Sequence, residues 1–313
     1  MRIARSLDEV NHDANSVVTV GTFDGVHLAH RAIIRDVVNR ARVKEGRSVV
    51  VTFDPHPREV VGPSKGPVRL LSTIDERIAL IGELNIDLLL ILEFTYAFSR
   101  ISSRDFYRQY IVHGTGVDEV VVGYDHMFGR DREAGIEELV RIGQEFDFSV
   151  FAVHPVMSGD EAVSSSGIRD ALLAGDVQRA QRLLGRPYVI SAKVVRGDGR
   201  GKRLGFRTAN LVPTARLKVI PARGVYVVSV EHGGGRHFGM MNIGVRPTIA
   251  DNLQETIEVH LLDFNSNLLG QELKVSFLRR LRDEKKFGSF DELSTQLRAD
   301  MEEARKTVAH MTI

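Results

Sequence analysis

Three uninterrupted apolar runs limit what this chain can fold into more than any other feature. They are Ser48-Val49-Val50-Val51-Thr52-Phe53, Ile86-Asp87-Leu88-Leu89-Leu90-Ile91-Leu92 and Asp118-Glu119-Val120-Val121-Val122-Gly123. A strand with one wet face alternates apolar and polar residues, so a strand apolar throughout is covered on both faces. Val17-Val18-Thr19-Val20 is a shorter run of the same kind, ending at Gly21. Helical patterns separate the runs. One extends from about His30 to Lys44, and another opens on the capping-box pattern Thr73-Ile74-Asp75-Glu76 and continues to about Leu84. Buried strands alternating with helices predict an α/β domain with a parallel sheet and helices on both sides. Ligands of such sheets bind beyond the carboxyl ends of the strands. Chemistry is therefore expected in the loops after Val20, Phe53 and Val122.

The pattern changes at Gly185-Arg186-Pro187. Before it lies a helical pair, Ile168 to Ala174 and Val177 to Leu184, broken at Gly175-Asp176. After it, Tyr188 to Val195, Gly224 to Val230, Phe238 to Ile243, Thr256 to Leu262 and Leu273 to Phe277 read as strands with no helices between them. That spacing predicts a small antiparallel β-barrel. The chain closes on a helix opened by Ser289-Phe290-Asp291-Glu292, with Leu293, Leu297 and Met301 at i, i+4 spacing. The expected domains are residues 1–185, α/β, and residues 186–313, β-barrel plus terminal helix. At 313 residues the chain has room for both.

Composition removes several function classes. There is no cysteine, which excludes disulfides, a thiolate nucleophile and sulfur-ligated metal centres. Lys+Arg 42 nearly cancels Asp+Glu 41, so a general nucleic-acid coat is not expected. No apolar run approaches the ~20 residues needed to span a bilayer, and residues 1–10 hold no apolar signal core. No membrane association is expected, and a cytoplasmic protein is the default expectation.

The loop after the first buried strand is the densest in chemistry: Gly21-Thr22-Phe23-Asp24-Gly25-Val26-His27-Leu28-Ala29-His30. Its glycines allow backbone to approach a ligand. His27 and His30, three apart at a helix start, share a face. A helix N-terminus is electropositive and offers unpaired N–H groups, so two imidazoles there make sense as donors to a phosphate chain. Taken alone, a His-x-x-His pair is more often one capping and one surface histidine. Ser164-Ser165-Ser166-Gly167-Ile168-Arg169 offers hydroxyls, a helix start and a guanidinium fork, again suited to phosphate oxygens and again readable as plain N-capping.

Together these segments resemble the nucleotidylyltransferases marked by His-x-Gly-His, with Ala29 in place of the usual Gly. More narrowly they resemble the adenylyltransferase module of bacterial bifunctional riboflavin kinase/FAD synthetases. Thr52-Phe53-Asp54-Pro55-His56-Pro57 and Val122-Gly123-Tyr124-Asp125-His126-Met127-Phe128-Gly129 fit that family in the same order. The resemblance implies a Rossmann-like fold and an ATP site built from Gly21, Thr22, Phe23, Asp24, Gly25, His27, His30, Asp125, Ser164, Ser165, Ser166 and Arg169. Within it, His27, His30 and Arg169 are expected to act on the transferring phosphates.

The second dense segment runs from Gly197 to Leu211, with Gly197, Gly199, Gly201 and Gly205 interleaved with Arg200, Lys202 and Arg203. The Walker A spacing fails, yet a glycine-rich turn with cations is a phosphate cradle. Thr208 and Asn210, two apart in an extended stretch, point the same way and offer hard oxygens that suit Mg²⁺. A solvated basic hairpin, or a nucleic-acid patch completed by Arg279, Arg280 and Arg282, are the competing readings. In Thr256 to Leu261, strand parity puts Thr256, Glu258 and His260 on one face and Ile257, Val259 and Leu261 on the other.

This half resembles the riboflavin kinase module, whose Gly-Phe-Pro-Thr-Ala-Asn appears here as Gly205-Phe206-Arg207-Thr208-Ala209-Asn210. Asn242-Ile243-Gly244-Val245-Arg246-Pro247-Thr248 also matches. The resemblance implies Glu258 as general base, Thr208 and Asn210 as Mg²⁺ ligands, and Gly197, Gly199, Gly201, Lys202, Gly205, Thr208, Asn210, Asn242 and Arg282 at the ATP and flavin sites. The expected partners are ATP, riboflavin, FMN and FAD, together with weak self-association. The expected function is phosphorylation of riboflavin followed by adenylylation of FMN. The alternative is an FAD synthetase whose kinase module is inactive.

Overall fold

The computed structural model describes residues 1–62, 67–124, 135–197, 206–247 and 253–310. The chain forms two compact units, Met1–Ser165 and Ser166–Ile313. That division falls earlier than the change of pattern at Gly185-Arg186-Pro187.

In the first unit, six strands form one sheet: β1 (Arg2–Ala4), β2 (Ser16–Val20), β3 (Arg47–Asp54), β4 (Leu88–Glu93), β5 (Glu119–Gly123) and β6 (Ser149–Val153). Their order is β1-β4-β3-β2-β5-β6, and every neighbouring pair is parallel. The edge strands β1 and β6 are absent from the sequence reading. One has only three residues and the other is half exposed, so neither carries a long apolar run. The helices are α1 (Leu28–Val43), α2 (Pro57–Val60), α3 (Ile74–Gly82), α4 (Ser103–Phe106), which continues as a π-helical segment Tyr107–Thr115, and α5 (Ile136–Phe146). A small hairpin, β7 (Met157–Ser158) with β8 (Glu161–Ala162), follows.

The continuous apolar runs are explained by cover on both sides. Val18, Val49, Val51, Leu88 and Leu90 pack with Phe106, Tyr107, Leu139 and Ile142 on one face. Val50, Leu89 and Ile91 pack with Ile34, Val38 and Ile81 on the other. Each fully buried side chain of this kind contributes about 1.5–3 kcal/mol. The capping box at α3 is formed: Glu76 N–H donates to Thr73 Oγ1 at 3.2 Å and Thr73 N–H to Glu76 Oε2 at 3.0 Å. From β2 the chain builds outward through β3 and β4, then returns to place β5 on the opposite side of β2. The sheet therefore reverses between β2 and β5, and the crevice beyond their carboxyl ends is where an open α/β sheet takes its ligand.

The second unit holds α6 (Ser165–Leu173, beginning on the last residue of the first unit), α7 (Val177–Leu184) and six strands. These are β9 (Tyr188–Val195), β10 (Ala209–Pro213), β11 (Gly224–His232), β12 (Gly235–Pro247), β13 (Leu253–Leu261) and β14 (Glu272–Arg282). They close as an antiparallel barrel in the order β10-β13-β12-β11-β14-β9. Alternation is visible in β9, where Tyr188, Ile190, Ala192 and Val194 are buried and the residues between them are more exposed. The terminal helix α8 (Phe290–Ala309) starts at Ser289, whose Oγ accepts from Glu292 N–H at 3.2 Å. It covers the barrel's outer side, with Met301, Ala304 and Val308 against Val227, Met240 and Leu278. Helix α7 packs on β9 and β14, and Ala222 N–H donates to Leu172 O at 2.9 Å, so the helical pair is tied to the barrel. Among the described residues no helix is long and apolar enough to cross a membrane.

Candidate active sites

In the first unit the loop joining β2 to α1 lies at the point of strand reversal. Its backbone takes positive φ at Phe23 (46°), Gly25 (83°) and Val26 (40°). Gly25 adopts that region freely, whereas a bulky or β-branched residue there is strained. His27 is the N-cap of α1, and its Nδ1 accepts the His30 N–H at 3.4 Å. The two imidazoles stack, with centroids 3.6 Å apart and planes 17° from parallel, and the Phe23 ring meets His30 edge-on at 5.2 Å. His27 therefore caps the helix with one nitrogen while its ring lies against that of His30. The capping role and the phosphate-donor role, alternatives in the sequence, use different atoms. Helix α1 has 16 residues, so its positive end is fully developed at this loop.

The loop is held by residues 71–77. Both Asp24 carboxylate oxygens accept from Leu71 N–H, at 3.0 and 3.1 Å, and one also accepts from Ser72 N–H at 2.9 Å and Ser72 Oγ at 3.1 Å. Gly25 N–H donates to Ser72 Oγ at 2.8 Å. Asp24 is 1% exposed, and its carboxylate is committed to the protein. Its side chain therefore ties the loop in place. Ser165 Oγ donates to Asp24 O at 3.0 Å, a further tie on the same loop. Ser164 precedes α6, and Ser166 and Arg169 follow within it, in the second unit, with Arg169 9% exposed. Arg77, absent from the sequence reading, reaches the same loop. Its Nη1 donates to Thr22 O at 2.9 Å. It had a legible signal, being the one charged residue in the stripe Ile74, Arg77, Ile78, Ile81.

On the barrel, register brings three side chains into one row. Asn210 on β10 and Asn242 on β12 both pair with Glu258 on the intervening β13. All three are partly exposed and alternate with buried Leu211, Ile257, Val259, Met241 and Ile243, so the row lies on the outer face. Thr208 Oγ1 donates to Glu258 Oε2 at 3.0 Å. A carboxylate, a hydroxyl and two amides thus converge, a set of hard oxygen donors that suits Mg²⁺ completed by phosphate and water. Beside them a cleft of about 470 Å³ is lined by Gly197, Arg207, Thr208, Asn210, Phe264 and Asn265, among others. Arg207 Nη1 donates to Asn265 Oδ1 at 2.5 Å, and Arg207 O contacts His260 Nδ1 at 2.8 Å. The residue standing where relatives carry Pro is thereby fixed by two side chains.

Gly197 faces Asn210 so closely that an added Cβ would lie 1.9 Å from Asn210 Nδ2. Gly197→Ala is expected to displace that amide and lower turnover in whatever reaction this row serves on the order of tenfold to a hundredfold, since small misplacements in a reacting site cost that much. Steady-state assay checks this, with any reaction of the first unit expected to stay at the wild-type level.

Arg282 has a structural partner. Its Nε and Nη2 bond the Asp300 carboxylate at 2.7–3.1 Å, and its Nη1 donates to Asp283 O at 3.0 Å. Asp300 is 4% exposed. Arg282 thereby anchors α8 to β14. The expected site residues Asp125, Gly199, Gly201, Lys202 and Gly205 lie outside the described residues. Among the described residues no three His, Asp or Glu side chains group together to hold a metal.

Comparison with known proteins agrees with this arrangement. A family model described as FAD synthetase matches residues 9–167, and one described as riboflavin kinase matches residues 184–308. A Pseudomonas fluorescens protein named bifunctional riboflavin kinase/FMN adenylyltransferase is 37% identical over 310 residues, covering 99% of this chain and 98% of the relative. Proteins of the same name from Bacillus subtilis and Escherichia coli are 36% and 34% identical, covering 93% and 98% of this chain and 92% and 97% of their own. A crystal structure from Streptococcus pneumoniae, described as a macrolide-efflux protein, superposes with a TM-score of 0.87 at 33% identity and covers 97% of this chain and 98% of its own.

Proposed function

This chain belongs to the bifunctional riboflavin kinase/FMN adenylyltransferase family, and from that premise we propose which of its residues carry the two transfers. The enzyme phosphorylates riboflavin to FMN and adenylylates FMN to FAD, with ATP as donor in both reactions. We assign adenylylation to residues 1–185 and phosphorylation to residues 186–313. Because both reactions consume ATP, we place the enzyme in the cytoplasm.

In adenylyl transfer, a phosphate oxygen of FMN attacks the α-phosphorus of ATP in line, the bond to the bridging oxygen breaks, and pyrophosphate leaves. No side-chain nucleophile is needed, so catalysis consists of alignment and charge stabilisation. His27 and His30 are assigned as donors to the phosphate chain, helped by the N–H groups at the start of α1. Ser165 and Arg169 are assigned, with them, to the leaving phosphates. The stacked imidazoles of His27 and His30 at the positive end of α1 carry this reading.

In phosphoryl transfer, the 5′-hydroxyl of riboflavin attacks the γ-phosphorus of ATP, its proton passes to the Glu258 carboxylate, and ADP leaves. A base acts from hydrogen-bond reach of that hydroxyl, and Glu258 stands on the outer face with Asn210 and Asn242 on either side. Thr208 Oγ1 and Asn210 Oδ1 are the atoms assigned to hold Mg²⁺. When bound, the ion supplies positive charge to the phosphate oxygens of ATP.

The test is a time course of products from riboflavin, ATP and Mg²⁺, separated by chromatography. FMN is expected to rise first and FAD to follow at its expense. FAD formed only when FMN is supplied would show the kinase half to be inactive.

A further inference from the structure

Arg77 is 2% exposed. Burial of a guanidinium costs several kcal/mol unless a close counter-charge compensates, and an apolar residue usually serves stability better. Here the nearest carboxylate oxygen, on Asp54, is 3.8 Å away. Burial holds the Arg77 pKa below the usual arginine value against the opposing pull of Asp24 and Asp54. The close bonds go to neutral acceptors: Nη1 donates to Thr22 O at 2.9 Å, Phe53 O at 3.1 Å and Thr52 Oγ1 at 3.2 Å. Thr52 Oγ1 in turn donates to Thr22 O at 3.3 Å. One guanidinium nitrogen, Nη1, thus joins the carboxyl ends of β2 and β3, on the ligand side of the sheet.

Thr22 is followed by the strained stretch Phe23 to Val26, which ends on His27. Strain of this kind persists only where the surroundings over-determine it. Several of the fixings come from one short segment. Leu71 and Ser72 hold Asp24, Ser72 holds Gly25, and Arg77 holds Thr22. A buried charge with only a long ion pair is accepted where it fixes the start of this loop.

We propose that Arg77 is a positioning residue for adenylyl transfer, fixing Thr22 against the end of β3 so that the following turn presents His27 and His30 in register with the phosphate chain. The proposal rests on the assignment of that loop to the adenylyl site. Arg77 acts through the loop backbone, so its removal affects alignment in the transition state more than ground-state binding.

The test uses full-length Arg77→Lys and Thr52→Val. A lysine ammonium keeps the charge but ends about one bond length short of the Nη1 position from which all three acceptors are reached. Turnover and KM for ATP and FMN are measured in FAD formation, riboflavin phosphorylation is measured in the same preparations, and thermal unfolding is followed. Arg77→Lys is expected to lower turnover for FAD by about 30- to 100-fold with KM for ATP within about threefold. Its riboflavin phosphorylation is expected at the wild-type rate. Thr52→Val is expected to lower FAD turnover about fivefold, and the double variant to be no slower than Arg77→Lys, because both act on Thr22 O. A folded Arg77→Lys with FAD turnover within twofold of wild type overturns the proposal. So does a loss of turnover that merely tracks the loss of folded protein. If Arg77→Lys does not fold, unchanged turnover in Thr52→Val overturns it and reduced turnover with unchanged KM supports it. A wild-type enzyme that forms no FAD from supplied FMN overturns the adenylyl assignment itself, and is recognised before any variant is made.

Discussion

Glu258→Gln is expected to stop FMN formation while FAD formation from supplied FMN continues at the wild-type rate. Gln matches Glu in shape and can still accept the Thr208 hydroxyl at its amide oxygen, so the 3.0 Å contact survives. What disappears is the group that takes the proton from the attacking hydroxyl. General-base catalysis is worth about 10²- to 10⁴-fold, and the loss of turnover should fall in that range. Glu258 lies on the outer face of β13, between buried Ile257 and Val259, so the change leaves the barrel core untouched. Chromatography of products from riboflavin and, separately, from FMN reads both effects. Retained riboflavin phosphorylation would remove Glu258 from the role of base.

His27→Ala is expected to have the opposite selectivity, lowering FAD formation by about 10²- to 10³-fold, the usual cost of one preorganised donor to developing charge. Riboflavin phosphorylation should be unaffected. The alanine variant also removes the acceptor for His30 N–H, an N-cap worth about 1 kcal/mol, so some loss of thermal stability accompanies it. His27→Asn separates the two roles, because asparagine caps a helix well but cannot reproduce the imidazole stacked on His30. Its unfolding temperature should stay close to wild type while FAD turnover falls as in the alanine variant. Full FAD turnover in His27→Asn, or equal loss of both reactions in either variant, would show that the loop does not serve adenylyl transfer alone.

These predictions differ in how much of their basis can be read along the chain. The polar face of β13 follows from parity, since Thr256, Glu258 and His260 are two apart and side chains in a strand alternate. That His27 and His30 share a face likewise follows from spacing at a helix start, whereas the stacking of their rings is visible only in the structure. The neighbours of Glu258 do not. Asn210 and Asn242 meet it only because β10 and β12 flank β13 in a particular register, and a slip of one residue would turn the row inward. The partners of Asp24 and Arg282 were hidden for a common reason. Each is a charged side chain inside a convincing motif, and each is captured by a partner far along the chain: Leu71 and Ser72 for one, Asp300 for the other.

What the sequence determined alone was whatever fits in a short window. Its periods of two and 3.6 set strands and helices, its capping residues set where α3 and α8 begin, and its glycine loop with two histidines marked the candidate site after β2. The tertiary structure alone decided where the buried charges end. Arg77 bridges two strand ends, Asp24 ties down the loop that carries it, and Arg282 clamps a helix. The physical reason is desolvation. A charge removed from water must find whatever donors or acceptors packing brings near it, and packing joins residues that the sequence keeps apart.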